Sequence, residues 1–65
     1  MQPYQDRVVT ELNELRDRLD KLLAFIDDTE TNALPEQDRK LLILQGASMA
    51  TYIFILEQRI DRFKE

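Results

Sequence analysis

The chain is 65 residues long, carries a formal net charge of -4 and contains neither Cys nor His. Their absence excludes a disulfide framework, a zinc site with Cys or His ligands, and the usual serine, cysteine and histidine catalysis. The excess of acid argues against non-specific DNA binding, which needs a positive surface that displaces counterions from phosphates. A domain this short buries only about 60% of its unfolded surface, so we expect self-association to supply stability.

The first predicted element is a helix from about Pro3 to about Asp28. Proline is well tolerated in a first turn, where its missing N–H costs nothing. Apolar residues then recur at alternating spacings of four and three, which is the heptad pattern of a helix that packs on another helix. They are Val8, Leu12, Leu15, Leu19, Leu22 and Ile26. Charged residues occupy the other side, as on a solvated helix face.

A polar segment without helical periodicity, about residues 29–34, follows the first helix. A second helix is predicted from about Pro35 to about Phe63. Its seam has the same spacing and consists of Leu42, Gln45, Met49, Tyr52, Leu56, Arg59 and Phe63. The predicted fold class is therefore all-α, with residues 1–65 forming a single two-helix antiparallel hairpin domain. We expect this hairpin to assemble into a symmetric homo-oligomeric helical bundle.

Residues 41–56 of the second helix read LLILQGASMATYIFIL and carry no charge. Apolar side chains lie on every side of this segment, so one partner helix cannot cover them all. Its 16 residues span about 24 Å, short of the ~30 Å hydrocarbon core of a membrane. We therefore expect burial in an oligomer and no membrane partner. Small residues spaced by four would let two helix backbones approach closely; they are Gly46, Ala47, Ala50 and Thr51.

Four polar or aromatic positions on the two helices have two interpretations each. Tyr52 is either a core aromatic whose hydroxyl finds a partner or a ligand contact, and Gln45 is either a buried amide that fixes register or a ligand contact. Tyr4 and Arg7 lie one turn apart. In one interpretation, Tyr4 stacks on a base and Arg7 holds its phosphate. In the other, Tyr4 packs on the end of the bundle and Arg7 faces solvent.

Arg59 interrupts the apolar seam of the second helix. A buried guanidinium needs an anion or several acceptors. The anion is either a carboxylate of the first helix, from Glu11 or Glu14, or a phosphate held by two parallel hydrogen bonds. The sequence leaves these alternatives open.

No catalytic constellation, metal site or cofactor is predicted. The carboxylates follow solvated helix faces, and the sequence has neither a Gly-rich phosphate loop nor the spacing of an EF-hand. The acidic loop residues Asp27, Asp28 and Glu30 are too few for a dedicated cation site. We therefore expect a binding or structural protein and not an enzyme.

Short motifs occur in a fixed order along both helices. The first helix contains Tyr4-Gln5-Asp6-Arg7-Val8, Glu14-Leu15, Lys21-Leu22 and Phe25-Ile26. The second contains Leu41-Leu42 with Gln45, then Met49, Tyr52, Ile55-Leu56 and Arg59-Ile60. Over nearly the whole chain this set resembles a family of small crAss-phage-related helical hairpin proteins. The family commonly has Lys at the position of Leu12, so one cation of that pattern is absent here.

These hairpins are similar to the helical hairpin of viral sponge proteins that counter the CBASS and Thoeris defences. The resemblance implies a protein of the host cytoplasm that binds cyclic oligonucleotides or cyclic ADP-ribose isomers and sequesters them without cleavage. Together with the interrupted seam at Arg59 and the shared face of Tyr4 and Arg7, this pattern predicts a nucleotide at a subunit interface, with Tyr4, Arg7, Gln45, Tyr52 and Arg59 as the ligand-binding residues. The alternative is a structural or adaptor hairpin that binds another phage or host protein.

Overall fold

The computed structural model describes residues 2–28 and 33–63. Over these residues the chain forms two α-helices, α1 (Pro3–Asp27) and α2 (Glu36–Asp61), which pack against each other. No strand occurs within the described ranges, so the prediction of an all-α, two-helix architecture is confirmed. Most of the predicted loop, residues 29–32, lies outside the described residues.

Local chemistry accounts for the helix ends. Pro3 occupies the first turn of α1, and the backbone N–H of Gln2 donates to Oε1 of Gln5 at 2.8 Å. α2 begins directly after Pro35, and its first turn carries acidic side chains. Arg59 lies in the last turn of α2, where a cation interacts favourably with the negative end of the helix dipole.

The core between the helices is small. Its buried hydrophobic residues are Val8, Leu12, Leu15 and Leu56. The partly buried residues that pack against them are Met49, Ile53, Ile60 and Phe63. Most of the buried positions are the predicted seam residues of α1, because charged residues bound that stripe on both sides and leave one face to bury.

The face of α2 that meets α1 agrees with part of the predicted seam, because Met49, Leu56 and Phe63 pack on the core. The predicted seam residues Gln45, Tyr52 and Arg59 are exposed. The inward positions are instead the next residues along the chain, Gly46, Ile53 and Ile60. Within one hairpin, Gln45 is therefore not the buried amide that one alternative expected, and Arg59 is not buried either. The physical reason is that neighbouring stripes of an apolar helix have the same period, so spacing alone does not select between them.

The hairpin is a rod with principal extents of 49 × 14 × 13 Å. Its radius of gyration is 15.0 Å, compared with about 11 Å for a compact chain of this length. Its accessible surface is 5189 Å², compared with about 4,300 Å² for a folded monomer of this mass. The exposed large apolar residues include Leu23, Phe25, Leu41, Ile43, Leu44, Phe54 and Ile55. This uncovered apolar surface is the physical basis for the expected self-association.

α2 is also long and apolar enough to cross a membrane, by length and composition alone. Its 18-residue window has a mean hydropathy of 1.3, and only 11% of that window is buried in the hairpin. The estimate of about 24 Å counted only the charge-free stretch, so length does not by itself exclude a membrane partner. A core helix of a soluble assembly has the same composition.

Candidate functional site

The predicted site residues lie along one flank of the hairpin. The Tyr52 hydroxyl donates a hydrogen bond to Oε2 of Glu11, and this contact joins α2 to α1 along that flank. Gln45 and Arg59 are each seven residues from Tyr52, which places all three on one stripe of α2. We call this surface the Tyr52 flank, and it consists of Tyr4, Arg7, Glu11, Gln45, Tyr52 and Arg59.

The α1 side of the flank follows from spacing around Glu11. Arg7 precedes Glu11 by four residues and Tyr4 precedes it by seven, so the three side chains share one helix stripe. Because the helices run antiparallel, Tyr4 lies at the same end of the hairpin as Arg59, and its ring meets Phe63 one turn beyond Arg59. The structure therefore brings both predicted tyrosines and both predicted arginines to the same half of the flank.

Gln45 is the predicted site residue that lies apart from the others. Seven residues of helix correspond to about 10 Å along the axis, so Gln45 is about that far from the level of Tyr52. The contact between Tyr52 and Glu11 places Arg18, seven residues beyond Glu11, level with Gln45. Arg18 was not among the predicted site residues. The repeated interval of seven from Glu11 is a sequence pattern that could have indicated Arg18.

The hydroxyl of Tyr52 is held as a hydrogen-bond donor. Its hydrogen bond to Glu11 is the main cause of a raised pKa, and burial and the negative charge of Glu11 act in the same direction. The guanidinium of Arg59 opposes this shift, so that cation lies close enough to act on the hydroxyl. Tyr52 is still 40% exposed, and a ligand can therefore reach it.

The ion pair that was predicted as one alternative for Arg59 does not form in the described part of the chain. There, Glu11 accepts a hydrogen bond from Tyr52, and Glu14 lies 4.0 Å from Nη2 of Arg18. The anion that was expected for a buried Arg59 is not required, because this side chain is exposed.

Tyr4 packs against the end of α2. Its ring meets the ring of Phe63 edge to face, with centroids 5.7 Å apart and planes at 82°. The alternative in which Tyr4 packs on the bundle end is therefore what the structure shows. Tyr4 nevertheless remains 52% exposed, which leaves part of the ring free to stack on a base, and Arg7 next to it is also exposed.

The opposite flank has a different character. Nη2 of Arg16 lies 2.5 Å from Oε2 of Glu57 across the two helices. Nearer the loop, this flank contains an apolar groove with a volume of about 400 Å³. Its lining residues are Leu19, Leu23, Ile26, Ile43, Gly46, Ala47 and Ala50.

Metal binding has no evident site in the described ranges 2–28 and 33–63. No group of three or more acidic side chains converges there in a way that could hold a metal ion. The chemistry available on the Tyr52 flank is therefore that of hydroxyl, amide and guanidinium donors beside exposed aromatic rings.

Comparisons with known proteins cover almost the entire chain. A family model described as Sequestin matches residues 2–62. Over 64 residues the chain is 33% identical to an uncharacterized 7.5 kDa protein from the denB–rIIB intergenic region of Enterobacteria phage T4. That match covers 98% of this chain and 100% of the phage protein. No solved structure matches. The matched residues include the Tyr52 flank and the apolar groove.

Proposed function

The chain belongs to the Sequestin family, and we propose that it is a phage sponge that binds a cyclic nucleotide immune signal and sequesters it without cleaving it. The proposed ligand is a cyclic oligonucleotide or a cyclic ADP-ribose isomer, and the proposed setting is the host cytoplasm. The family name is consistent with sequestration but specifies no ligand. The proposed ligand class therefore depends on the chemistry of the Tyr52 flank and on the resemblance to anti-CBASS and anti-Thoeris sponges.

The hydrogen bond between Tyr52 and Glu11 is the observation that carries the proposal. It shows a carboxylate, which is an anion with acceptor oxygens, seated against a tyrosine hydroxyl with the Arg59 guanidinium nearby. A phosphate presents the same acceptor chemistry and can also accept two parallel hydrogen bonds from an arginine. We infer that the phosphate of the ligand takes the place of the Glu11 carboxylate.

Exposed rings on the same flank supply the second part of the recognition. Tyr4 and Tyr52 each offer an aromatic surface on which a base can stack, and each stacked base contributes about 1–3 kcal/mol. A charge-assisted hydrogen bond from Arg7 or Arg59 to phosphate contributes about 1.5–3 kcal/mol. One contact of each kind per subunit, repeated in an assembly, is sufficient for micromolar or tighter binding after ordering costs.

A second copy of the chain is part of the proposed site. A single Tyr52 flank is open to solvent, and a sponge must cover its ligand to withhold it from an effector. A symmetric assembly repeats every cation of the flank around its axis. Such repetition concentrates positive charge at one place in a chain whose formal net charge is -4.

Calorimetry on the purified protein tests the proposal. Cyclic dinucleotides, cyclic trinucleotides and cyclic ADP-ribose isomers are titrated into the wild type and into Arg59→Ala, Arg7→Ala and Lys21→Ala. Loss of one charge-assisted contact should weaken binding tenfold or more in either arginine variant. Lys21 is the control, because its ammonium pairs with Asp17 on the solvated face of α1 and its removal should leave affinity unchanged.

The fate of the ligand is tested in the same samples. After heat denaturation of the complex, chromatography should recover the cyclic nucleotide intact. A folded wild type that binds none of these ligands contradicts the proposal, and recovery of a linear product contradicts sequestration without cleavage.

A second candidate function is that of an adaptor hairpin that binds another phage or host protein. The large exposed apolar residues of α2 favour it, among them Leu41, Leu44 and Phe54. Under this alternative no cyclic nucleotide binds, and substitutions at Arg7 and Arg59 have no effect on the partner held by the apolar face.

A further inference from the structure

We propose that the apolar groove docks a second copy of this chain, with the two α2 helices antiparallel and Phe54 of each copy seated in the groove of the other. The inference rests on the uncovered apolar surface of the hairpin and goes beyond the proposed function. It concerns the flank opposite to Tyr52, and it therefore predicts a contact between copies that is separate from the ligand site.

The shape of the groove suits a large apolar side chain. All of its lining residues are apolar or glycine, and its volume is about 400 Å³. On the α2 side, Gly46, Ala47 and Ala50 contribute little or no side chain, so the backbone forms much of that wall. A surface of this kind gains from a fitted apolar partner, because close packing supplies dispersion contacts that a hydrated groove lacks.

Phe54 is such a side chain and belongs to the same stripe of α2. It follows Ala50 by four residues, Ala47 by seven and Ile43 by eleven, and these are the intervals of one helix face. It is 59% exposed in the hairpin. A projecting ring and a small-residue groove on one face are self-complementary under a twofold axis, because each copy then supplies both partners.

Charge complementarity supports the same arrangement. We place the twofold axis at Ala50. Each residue of α2 then lies opposite the residue of the second copy that is equally far from Ala50 in the other direction along the chain. Phe54 then meets Gly46 of the second copy, and Arg39, eleven residues before Ala50, lies level with Asp61 of the second copy, eleven residues after it. Both ends of the contact thus pair opposite charges.

The rim of the groove carries one more charge on this flank. Glu57 lies level with Ile43 of the second copy in the same register. Its carboxylate is already paired with Arg16 of its own hairpin at 2.5 Å. This ion pair compensates the charge of the Glu57 carboxylate before the second copy docks. A lipid surface is a poorer occupant, because these charged groups on the same flank are costly to place in hydrocarbon.

Light scattering on Phe54→Ala tests the inference. Loss of the ring should halve the mass of the wild-type assembly. Because the Tyr52 flank lies on the other side, nucleotide affinity should stay within about twofold. Leu41→Ala is the matched control: Leu41 is 55% exposed but lies on the opposite side of α2, and its variant should keep the wild-type mass. Circular dichroism serves as the check that both variants remain helical.

Charge reversal tests the register independently of the ring. Arg39→Asp should lower the mass, and Arg39→Asp combined with Asp61→Arg should restore it. The inference is overturned by a monomeric wild type, by an unchanged mass in Phe54→Ala, or by a double variant that fails to reassociate. Binding of the wild type to phosphatidylcholine vesicles that is lost in Phe54→Ala would also overturn it in favour of a membrane.

These outcomes are separable from the fate of the proposed function. A wild type that binds no nucleotide but halves in mass on Phe54→Ala contradicts the sponge proposal and keeps this inference. If the wild type binds nucleotide and Phe54→Ala has the same mass as the wild type, the sponge proposal stands and this inference is contradicted.

Discussion

The hydroxyl of Tyr52 donates to the carboxylate of Glu11 across the hairpin, so a negative charge of α1 occupies the acceptor position at a hydroxyl whose pKa the Arg59 guanidinium lowers. This relationship has a direct consequence for an anionic ligand. A phosphate that approaches the Tyr52 hydroxyl has to displace the carboxylate and is repelled by it until it does. We therefore expect the Glu11 carboxylate to lower the affinity of the site for an anionic ligand.

Replacement Glu11→Gln should strengthen nucleotide binding. The variant keeps the size of the side chain and removes its charge, and relief of a like-charge contact at a surface site corresponds to about tenfold in affinity. Calorimetry at low and high salt measures the gain, which should shrink as salt screens the repulsion. Asp17→Asn, on the solvated face of α1, serves as the control. Weaker binding in Glu11→Gln would mean that the carboxylate orients Tyr52 for the ligand and does not compete with it.

The ionisation of Tyr52 should report its bond to Glu11 in the free protein. That bond raises the pKa of Tyr52 above its ordinary value of 10.0. The chain has two tyrosines, so in a Tyr4→Phe background the ultraviolet absorbance of tyrosinate follows Tyr52 alone. The midpoint should lie above the ordinary value and fall when Glu11→Gln is added. An identical midpoint in both proteins would show that the bond does not persist in solution.

The same shift gives the direction of an effect of pH on stability. A raised pKa in the folded state means that the folded protein holds the phenolic proton more tightly than the unfolded chain does. The stabilisation is therefore fully present below pH 10.0 and is lost as the pH rises through the folded-state pKa. The free energy of unfolding of the wild type, measured by urea denaturation, should therefore fall more steeply over that alkaline range than that of Tyr52→Phe.

The sequence predicts the pairing face of α1 well, because the apolar stripe of Val8, Leu12 and Leu15 has charged residues on both sides. It does not determine the rotation of α2. There, Tyr52 and Ile53 both fit an apolar seam. Which of the two side chains faces α1 is decided only when the whole hairpin packs. Ile53 packs on the core of its own hairpin. A charge placed there should therefore unfold the hairpin as well as disturb any assembly.

The candidate site, like the fold, could be predicted from the sequence only in part. The interval of seven between Gln45, Tyr52 and Arg59 places them on one stripe without any structure. Which side of the seam this stripe occupies depends on the rotation of α2, and so does its meeting with Glu11, which lies 41 residues from Tyr52 along the chain. A single sequence carries no periodic feature that fixes such a long-range contact.

Leu56→Ala should destabilise the hairpin strongly. Leu56 is 0% exposed, and it packs at the centre of the small core with residues of α1. Truncation of a buried leucine costs about 2–5 kcal/mol, because it removes apolar contacts and leaves a cavity. Urea denaturation followed by circular dichroism measures the loss, with Gln58→Ala as the exposed control on α2. Equal stability of the two variants would contradict the described packing.

Gly46→Ala should stabilise the hairpin, although Gly46 is buried. A Cβ at this position would lie 3.6 Å from Cδ2 of Leu22 and 3.9 Å from Cδ1 of Leu19, which are ordinary van der Waals distances. Replacement of glycine by alanine inside a helix contributes about 0.5–1 kcal/mol, which corresponds to a rise in Tm of roughly 2–8 °C for a domain of this size. Thermal denaturation at several protein concentrations measures it. A lower Tm with unchanged helix content would mean that the helix backbone at Gly46 is approached more closely in the assembly than α1 approaches it within one hairpin.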